Sequence, residues 1–365
     1  MPDNPTPPRY TFTLLRAGTF KLDGGSMFGL IPRAVWSRHV PTDDKGRITV
    51  AHNCLLLQRE GEAPPGHPRR LLIEVGTGDK LDPKMQEVFD LEQNPPGHPN
   101  AGTPRTPRTI LDALAEKNVP PESIDAIICS HLHFDHAGAL TRLPRPGEKP
   151  TWLVPPNDMG GDGGGGSAQT GGNVLSFPNA TIHTQHREWH DAINNRSVMT
   201  KTYYRDHLAP IADRLRLTDS PRPFPTGYTP DREELPRTTI EQRESDPFAP
   251  SPSHLKSEIS NLRSGISVFL TPGHTWGQQA IKFTDPRNRT IVFTPDVMPT
   301  IAHLGAAYNL AYDVEPYTST ITRHWFLAEA AARDWVLHLD HEPGHPLVRV
   351  RRNTKGWFDL IPEPL

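Results

Sequence analysis

The stretch SHLHFDHAG at residues 130–138 places three histidines and one aspartate within six consecutive positions. It directly follows the apolar run 126–129, whose β-branched residues predict a short buried strand. Imidazole and carboxylate groups are good ligands for zinc, iron, manganese and similar divalent ions. A spacing of this kind after a strand is far more specific than an isolated pair of histidines. The stretch therefore predicts a metal centre at the end of a core strand.

The order of residues within this stretch favours two ions rather than one. Side chains alternate along an extended segment, so His131 and His133 are expected to point to the same side. Asp135 and His136 are adjacent and point in different directions, so they can serve a second ion. Two ions about 3.5–4 Å apart can share a hydroxide and lower its proton affinity. A site of this kind needs no side-chain nucleophile.

Three further apolar runs end in the same way, with histidine or aspartate shortly after the run. In layered α/β folds, ligand sites lie at the carboxyl ends of the strands. We therefore expect these side chains to meet the first stretch at one edge of the fold. The runs are 268–270 before TPGH at 271–274, 290–293 before TPD at 294–296, and 335–337 before HLDH at 338–341.

Seven residues form the predicted ligand sets, and none of them is a cysteine, which excludes a cysteine-liganded zinc site. They are His131, His133 and His274 for the first ion, Asp135, His136 and His341 for the second, and Asp296 as a bridge between both. His338 and His345 compete with His341 for its role. The ordinary alternatives at the other positions are loop histidines and a turn or capping carboxylate.

The composition of the 365-residue chain narrows the functional classes. Lys plus Arg is 39 and Asp plus Glu is 42, a formal net charge of −3, so no nucleic-acid footprint is expected. No apolar run approaches the roughly 20 residues of a membrane helix, and the first residues do not resemble a signal segment. Two cysteines, Cys54 and Cys129, cannot form a disulfide framework. These features together predict a cytoplasmic protein that binds neither nucleic acid nor a membrane.

Proline and glycine, at 41 and 28 residues, divide the chain into elements and long loops. We expect one domain over residues 10–350, preceded by a flexible tail at 1–9. The glycine-rich stretch 155–172 and the proline-rich, charged stretch 219–256 predict loop insertions. Early strands are predicted over residues 10–20, 48–57 and 70–75.

The motifs, taken together, resemble those of the metallo-β-lactamase fold superfamily and stand in that family's order. They are SHLHFDHAG at 130–138, TPGHTWG at 271–277, FTPDVMPT at 293–300 and LDHEP at 339–343. The resemblance implies an α/β fold, the four-layer αβ/βα sandwich of that family, with the metals at one sheet edge. Residues 24–48 and 311–320 are similar to the dinuclear N-acyl homoserine lactonase branch, to which methyl parathion hydrolase is related.

This branch implies a hydrolase that opens a lactone or ester bond of a small molecule, as quorum-quenching lactonases do. A metal-bridging hydroxide would attack the carbonyl carbon, and Asp135 would orient it and carry its proton to the leaving alkoxide. The expected cofactors are two divalent ions, zinc first, with iron, manganese and cobalt as alternatives. The alternative functions are a phosphotriesterase of the methyl parathion hydrolase type, a glyoxalase-type thioesterase and a non-catalytic metal-binding module.

Three positions depart from the family pattern. Glu74 replaces the aspartate of an Asp-Thr-Gly turn, which is expected to lie outside the ligand sets, and Glu342 replaces the aspartate after the final histidine. Pro299 stands where acyl homoserine lactonases carry a tyrosine, so a hydroxyl that polarises the substrate must come from elsewhere. Tyr308 and Tyr312 are the candidates, and ordinary core or rim aromatics are the alternative.

Several residues are candidate substrate contacts. Phe134 lines the pocket by resemblance, and Phe28 and Trp36 can either contact an acyl chain or pack their segment onto the core. His303 is either a substrate contact or a plain loop histidine. The segment 24–48 can serve as a lid or as the interface of a homodimer.

Overall fold

The computed structural model of the protein describes most of the chain, in eight segments. They are residues 7–64, 67–95, 106–153, 172–194, 202–223, 238–249, 264–305 and 307–365. The predicted tail and the two predicted insertions lie mostly outside these segments, which include only residues 7–9, 172, 219–223 and 238–249 of them.

The strands of the described segments form two large sheets and one small one. In chain order they are β1 (Tyr10–Asp23), β2 (Arg47–Arg59), β3 (Arg70–Ile73), β4 (Ala126–Ile128), β5 (Thr141–Arg142), β6 (Val174–Leu175), β7 (Thr181–Gln185), β8 (Leu215–Thr218), β9 (Ile266–Leu270), β10 (Gln279–Thr284), β11 (Thr290–Thr294), β12 (Val336–Leu339), β13 (Leu347–Arg352) and β14 (Phe358–Pro362). The two large sheets have the strand orders β1-β2-β3-β4-β7-β8 and β14-β13-β12-β11-β10-β9, and β5 pairs with β6.

The pairing directions explain where a site can form. The first sheet is antiparallel from β1 to β3 and parallel from β3 through β4 and β7 to β8. The second sheet is antiparallel except for the parallel pair β11 and β12. The carboxyl ends of the parallel strands therefore share an edge in each sheet.

The helices are short except for one. They are α1 (Gly24–Phe28), α2 (Arg33–Trp36), α3 (Pro83–Val88), α4 (Ile110–Ala115), α5 (Phe134–Ala137), α6 (His186–Ile193), α7 (Arg205–Leu208) and α8 (Pro316–Ala332). Within the described segments, none of these helices combines the length and the apolar character that crossing a membrane requires.

Alternation along the strands of the first sheet assigns its two faces. In β3, Leu71 and Ile73 join the core between the sheets, whereas Leu72 packs in the outer core with Ile110 and Leu114 of α4. Because both faces are covered, the strand is apolar at every position, as is typical of strands buried on two sides.

The second sheet repeats this arrangement with α8 outside it. In β9, Val268 faces the core between the sheets, and Phe269 packs outward against Trp325 of α8, with ring centroids 6.1 Å apart. The layers therefore run helix, sheet, sheet, helix, which confirms the predicted αβ/βα sandwich.

Candidate metal centre

The ends of four strands deliver the predicted ligand residues to one place. β4 leads into the loop that carries His131 and His133, and then into α5, which carries Asp135 and His136. The segments after β9, β11 and β12 supply, in that order, His274, Asp296 and His341. Each of these residues follows a run that was predicted to be a core strand ending at a shared edge.

Three histidines and one aspartate form the first cluster, and their ligand atoms converge. His133 Nδ1 lies 3.1 Å from both His131 Nε2 and His274 Nε2, and Asp296 Oδ2 lies 2.9 Å from His274 Nε2. Zinc–nitrogen bonds of about 2.0–2.1 Å in a tetrahedron place ligand atoms roughly 3.3 Å apart. The four atoms lie within 4.8 Å of one another, so this cluster could hold one divalent ion.

The second cluster shares Asp296 with the first. His136 Nε2 and His341 Nε2 lie 3.2 Å apart, and Asp296 reaches them at 3.7 and 3.4 Å. Asp135 Oδ2 lies 3.8 Å from His136 Nε2 and 3.6 Å from His341 Nε2. The structure thus brings all seven predicted positions together around two adjacent places for ions.

The segment after β12 contributes a residue that the sequence analysis missed. Asp340 lies with His136, Asp296 and His341, and the ligand atoms of these four residues are within 4.8 Å of one another. The two competitors of His341 lie elsewhere, since His338 stacks on Phe293 in the interior and His345 contacts the carbonyl of Glu363.

The rings of four histidines are fixed by partners on their outward nitrogen. A ring whose Nδ1 is held in this way presents Nε2 to the ion. The pairs are His131 Nδ1 with Ser130 Oγ at 3.0 Å, His136 Nδ1 with Glu74 Oε2 at 3.3 Å, His274 Nδ1 with Asp313 Oδ1 at 2.9 Å, and His341 Nδ1 with the Ala51 carbonyl at 2.9 Å.

Glu74, whose turn was expected to lie outside the ligand sets, contacts the metal-binding stretch directly. Besides its contact with His136, its Oε1 accepts a hydrogen bond from the Ser130 N–H at 2.5 Å. Its backbone φ is 64°, a conformation that side chains other than glycine rarely adopt. The turn therefore aims this carboxylate at the stretch, and its substitution for aspartate bears on the orientation of His136.

The electrostatics of the first cluster suit a cation. Burial lowers the pKa of His131 and His133, and the neighbouring histidines lower both further, so these rings are neutral. Burial alone would lower the pKa of His274, but Asp296 and then Asp313 raise it to about 10. Because a ligand must lose its proton first, metal loading at His274 competes with protonation and releases a proton.

Glu188 on α6 ties two of the ligand loops together, and the sequence analysis did not single it out. Its Oε1 accepts from the Leu132 N–H and the Tyr203 hydroxyl, both at 2.9 Å, and its Oε2 accepts from Thr275 Oγ1 at 2.6 Å. Tyr203 in turn packs on His133, with ring centroids 4.9 Å apart. This fully buried carboxylate thus positions the loops on either side of the first cluster.

We expect Glu188→Ala to weaken metal binding by about 10–100-fold, the usual cost of losing a group that orients ligands. The substitution also leaves the buried donors of Leu132, Tyr203 and Thr275 without their acceptor. Each unsatisfied donor should lower the free energy of unfolding by about 1–3 kcal/mol. Competition with a chelator and thermal unfolding measure the two effects. Glu188→Gln keeps an oxygen for Leu132 and should retain most of the affinity. Equal affinity in wild type and Glu188→Ala would contradict the positioning role.

The early segment is packed onto the body of the protein. Phe28 is 0% exposed and Trp36 2%, and their rings stack with centroids 5.0 Å apart. His303 is also buried, with Nδ1 2.8 Å from Thr300 Oγ1 and Nε2 2.8 Å from the Met27 carbonyl. Both aromatic residues belong to the buried hydrophobic cluster of this segment. His303 holds this segment in place and has both ring nitrogens engaged.

The other candidate contacts pack against different neighbours. Phe134 packs on Phe89 at 5.1 Å between ring centroids, and Tyr308 meets the ring of Phe28 edge-on at 5.9 Å. The Tyr312 hydroxyl is hydrogen-bonded to Ser26. Burial raises the pKa of Tyr312 to about 12, and the carboxylates of Asp23, Asp135 and Asp296 add to this effect, so the side chain remains a protonated donor.

Comparison with known proteins agrees with the fold. The family model of the metallo-beta-lactamase superfamily matches residues 69–294. No curated protein sequence matches the chain significantly.

Several solved structures are similar to it over nearly their whole length. A probable metal-dependent hydrolase from Staphylococcus aureus has a TM-score of 0.65 at 20% identity, with 99% of both chains covered. AidC, a dizinc quorum-quenching lactonase in complex with a product, has a TM-score of 0.60 at 17% identity, covering 100% of this chain and 97% of AidC. A quorum-quenching N-acyl homoserine lactone lactonase has 0.53 at 15% identity, covering 93% and 94%. At these identities the similarity concerns the fold.

Proposed function

The chain belongs to the metallo-beta-lactamase superfamily, and from the geometry of its metal centre we propose that it is a dinuclear hydrolase that opens a lactone or a similar ester. The observation that carries the proposal is the pair of buried clusters joined by Asp296. The nitrogen separations in both clusters fit divalent ions, and zinc is the first candidate because AidC is a dizinc enzyme. Two such ions would supply Lewis-acid chemistry, activating water and polarising a carbonyl.

Asp135 is the residue we assign to proton transfer. Its side chain is 11% exposed, whereas the ligand histidines around it are almost completely buried. Asp135 Oδ2 can therefore both face the second cluster and reach a group that enters from solvent. In this role it accepts a proton from the attacking water and donates it to the leaving alkoxide.

Tyr312 is the residue we assign to the substrate carbonyl. Pro299 cannot supply a hydroxyl, and burial keeps Tyr312 a protonated phenol. Its hydroxyl can donate a hydrogen bond to the oxygen on which negative charge develops. Tyr308, which packs against Phe28, is assigned to the wall of the early segment instead.

A lactone is the substrate class that this arrangement suits best. The alkoxide released from a lactone stays tethered to the acyl group, so it remains near Asp135 for protonation. The similarity to two lactonases supports the same class.

A paired assay on one purified, metal-analysed sample tests this proposal. We expect kcat/KM for a long-chain acyl homoserine lactone to exceed that for an aryl phosphotriester by at least about tenfold, or 1.4 kcal/mol. The reverse ratio would make the protein a phosphotriesterase. Two bound metals with no turnover of lactones, esters, thioesters or phosphotriesters would make it a binding module.

A further inference from the structure

Asp340 is a buried carboxylate with no partner suited to its charge. It is 2% exposed, and neither of its oxygens has a hydrogen-bond partner within the described segments. The one ion pair it makes there is with His341, whose Nε2 lies 4.0 Å from Asp340 Oδ2. An ionised carboxylate in such a place is costly unless a cation compensates for it.

The carboxylate is aimed at the second cluster and not at the first. Its ligand atom lies within 4.8 Å of those of His136, Asp296 and His341. Asp135 also lies within 4 Å of both histidines, so three carboxylates surround the second cluster. Among the described residues, the first cluster contains a single carboxylate, that of Asp296.

This difference in donor atoms has a chemical consequence. Imidazole suits zinc, whereas carboxylate oxygen suits manganese and other hard cations. Zinc binds most sites more tightly than manganese, so the expected effect is on the difference in affinity between the two metals. Each added carboxylate should make that difference smaller.

We propose that Asp340 is a further oxygen ligand of the second metal position. It makes the preference for zinc over manganese smaller at that position than at the first. The inference rests on the dinuclear centre of the proposed function, but not on its substrate. It distinguishes two adjacent positions that otherwise share Asp296.

The test is manganese binding to purified, metal-free protein that has been given one equivalent of Zn²⁺. Free Mn²⁺ is followed by electron paramagnetic resonance, and bound metal by elemental analysis. Wild type should take up one Mn²⁺. Asp340→Asn should bind it about 10–100-fold more weakly, with a smaller loss of affinity for a second Zn²⁺.

Glu342→Gln is the matched control. It removes one negative charge two residues away, from a side chain that accepts the Ile301 and Gly344 N–H groups and does not belong to the cluster. It should bind Mn²⁺ like wild type. Asp340→Ser serves the same purpose as Asp340→Asn if the latter does not fold.

The outcomes separate this inference from the proposed function. Equal Mn²⁺ affinity in wild type and the Asp340 variants, or an equal loss in Glu342→Gln, would overturn it even if the enzyme hydrolyses lactones. The expected binding pattern in a protein without lactonase activity would uphold it and refute the substrate assignment. A wild type that excludes Mn²⁺ from the second position also overturns it, whatever the variants do.

Discussion

Replacing His133 by alanine is expected to abolish hydrolysis and to lower the amount of bound metal. His133 Nδ1 lies 3.1 Å from the inward nitrogens of both His131 and His274, so its removal opens the first cluster on one side. Metal ions supply several kcal/mol of transition-state stabilisation, which corresponds to a loss of about 10³-fold or more in kcat/KM. The measurement is the steady-state rate on the lactone together with elemental analysis of the same sample.

The control for this variant is His345→Ala. His345 is exposed and contacts the Glu363 carbonyl, and it belongs to neither cluster. This variant should keep the activity and metal content of wild type. If His133→Ala lost its metal and yet retained full activity, the proposed metal-dependent mechanism would be refuted.

The ligand residues could be predicted because their signal is local. Each follows an apolar run, and the runs are apolar at nearly every position because the strands are buried on both faces. The histidine spacing in 130–138 then predicted a metal centre without any knowledge of distant contacts.

Asp340 could not be predicted in the same way. Alternation along β12 puts neighbouring side chains on opposite faces, so Asp340 and His341 would not be expected to serve one place. The strand ends at Leu339, and the His341 N–H instead bonds to the Pro299 carbonyl, 3.1 Å away. Beyond the strand the alternation no longer holds, and both side chains reach the second cluster.

Glu74 and Glu188 show a second limit of sequence reasoning. Each contacts the metal-binding stretch from a position 56 residues away along the chain, through Ser130 and Leu132 respectively. Such contacts follow from the packing of sheets and helices and have no local pattern. The same holds for Phe28 and Trp36, whose burial depends on how the early segment packs.

Asp135→Asn is expected to reduce kcat for the lactone by about 10²–10⁴-fold, the range typical of general acid–base groups. An amide in place of the carboxylate cannot accept a proton from the attacking water or return one to the alkoxide. The effect should depend on the leaving group, because a nitrophenolate departs without being protonated. The measurement compares kcat on the lactone with kcat on a nitrophenyl ester, at equal metal content.

The ratio of these two losses separates the roles that Asp135 can have. Its oxygen lies 3.6 Å from His341 Nε2, so it can act as a ligand of the second ion as well as a proton carrier. A larger loss on the lactone than on the nitrophenyl ester, with two metals still bound, assigns it to proton transfer. An equal loss on both substrates, together with loss of one metal, would assign it to metal binding alone.

Asp44→Asn, which changes an exposed carboxylate on the early segment, should leave both rates unchanged. Because Asp135 is more exposed than Asp340 and faces the same two histidines, the leaving-group dependence should appear in Asp135→Asn and not in Asp340→Asn.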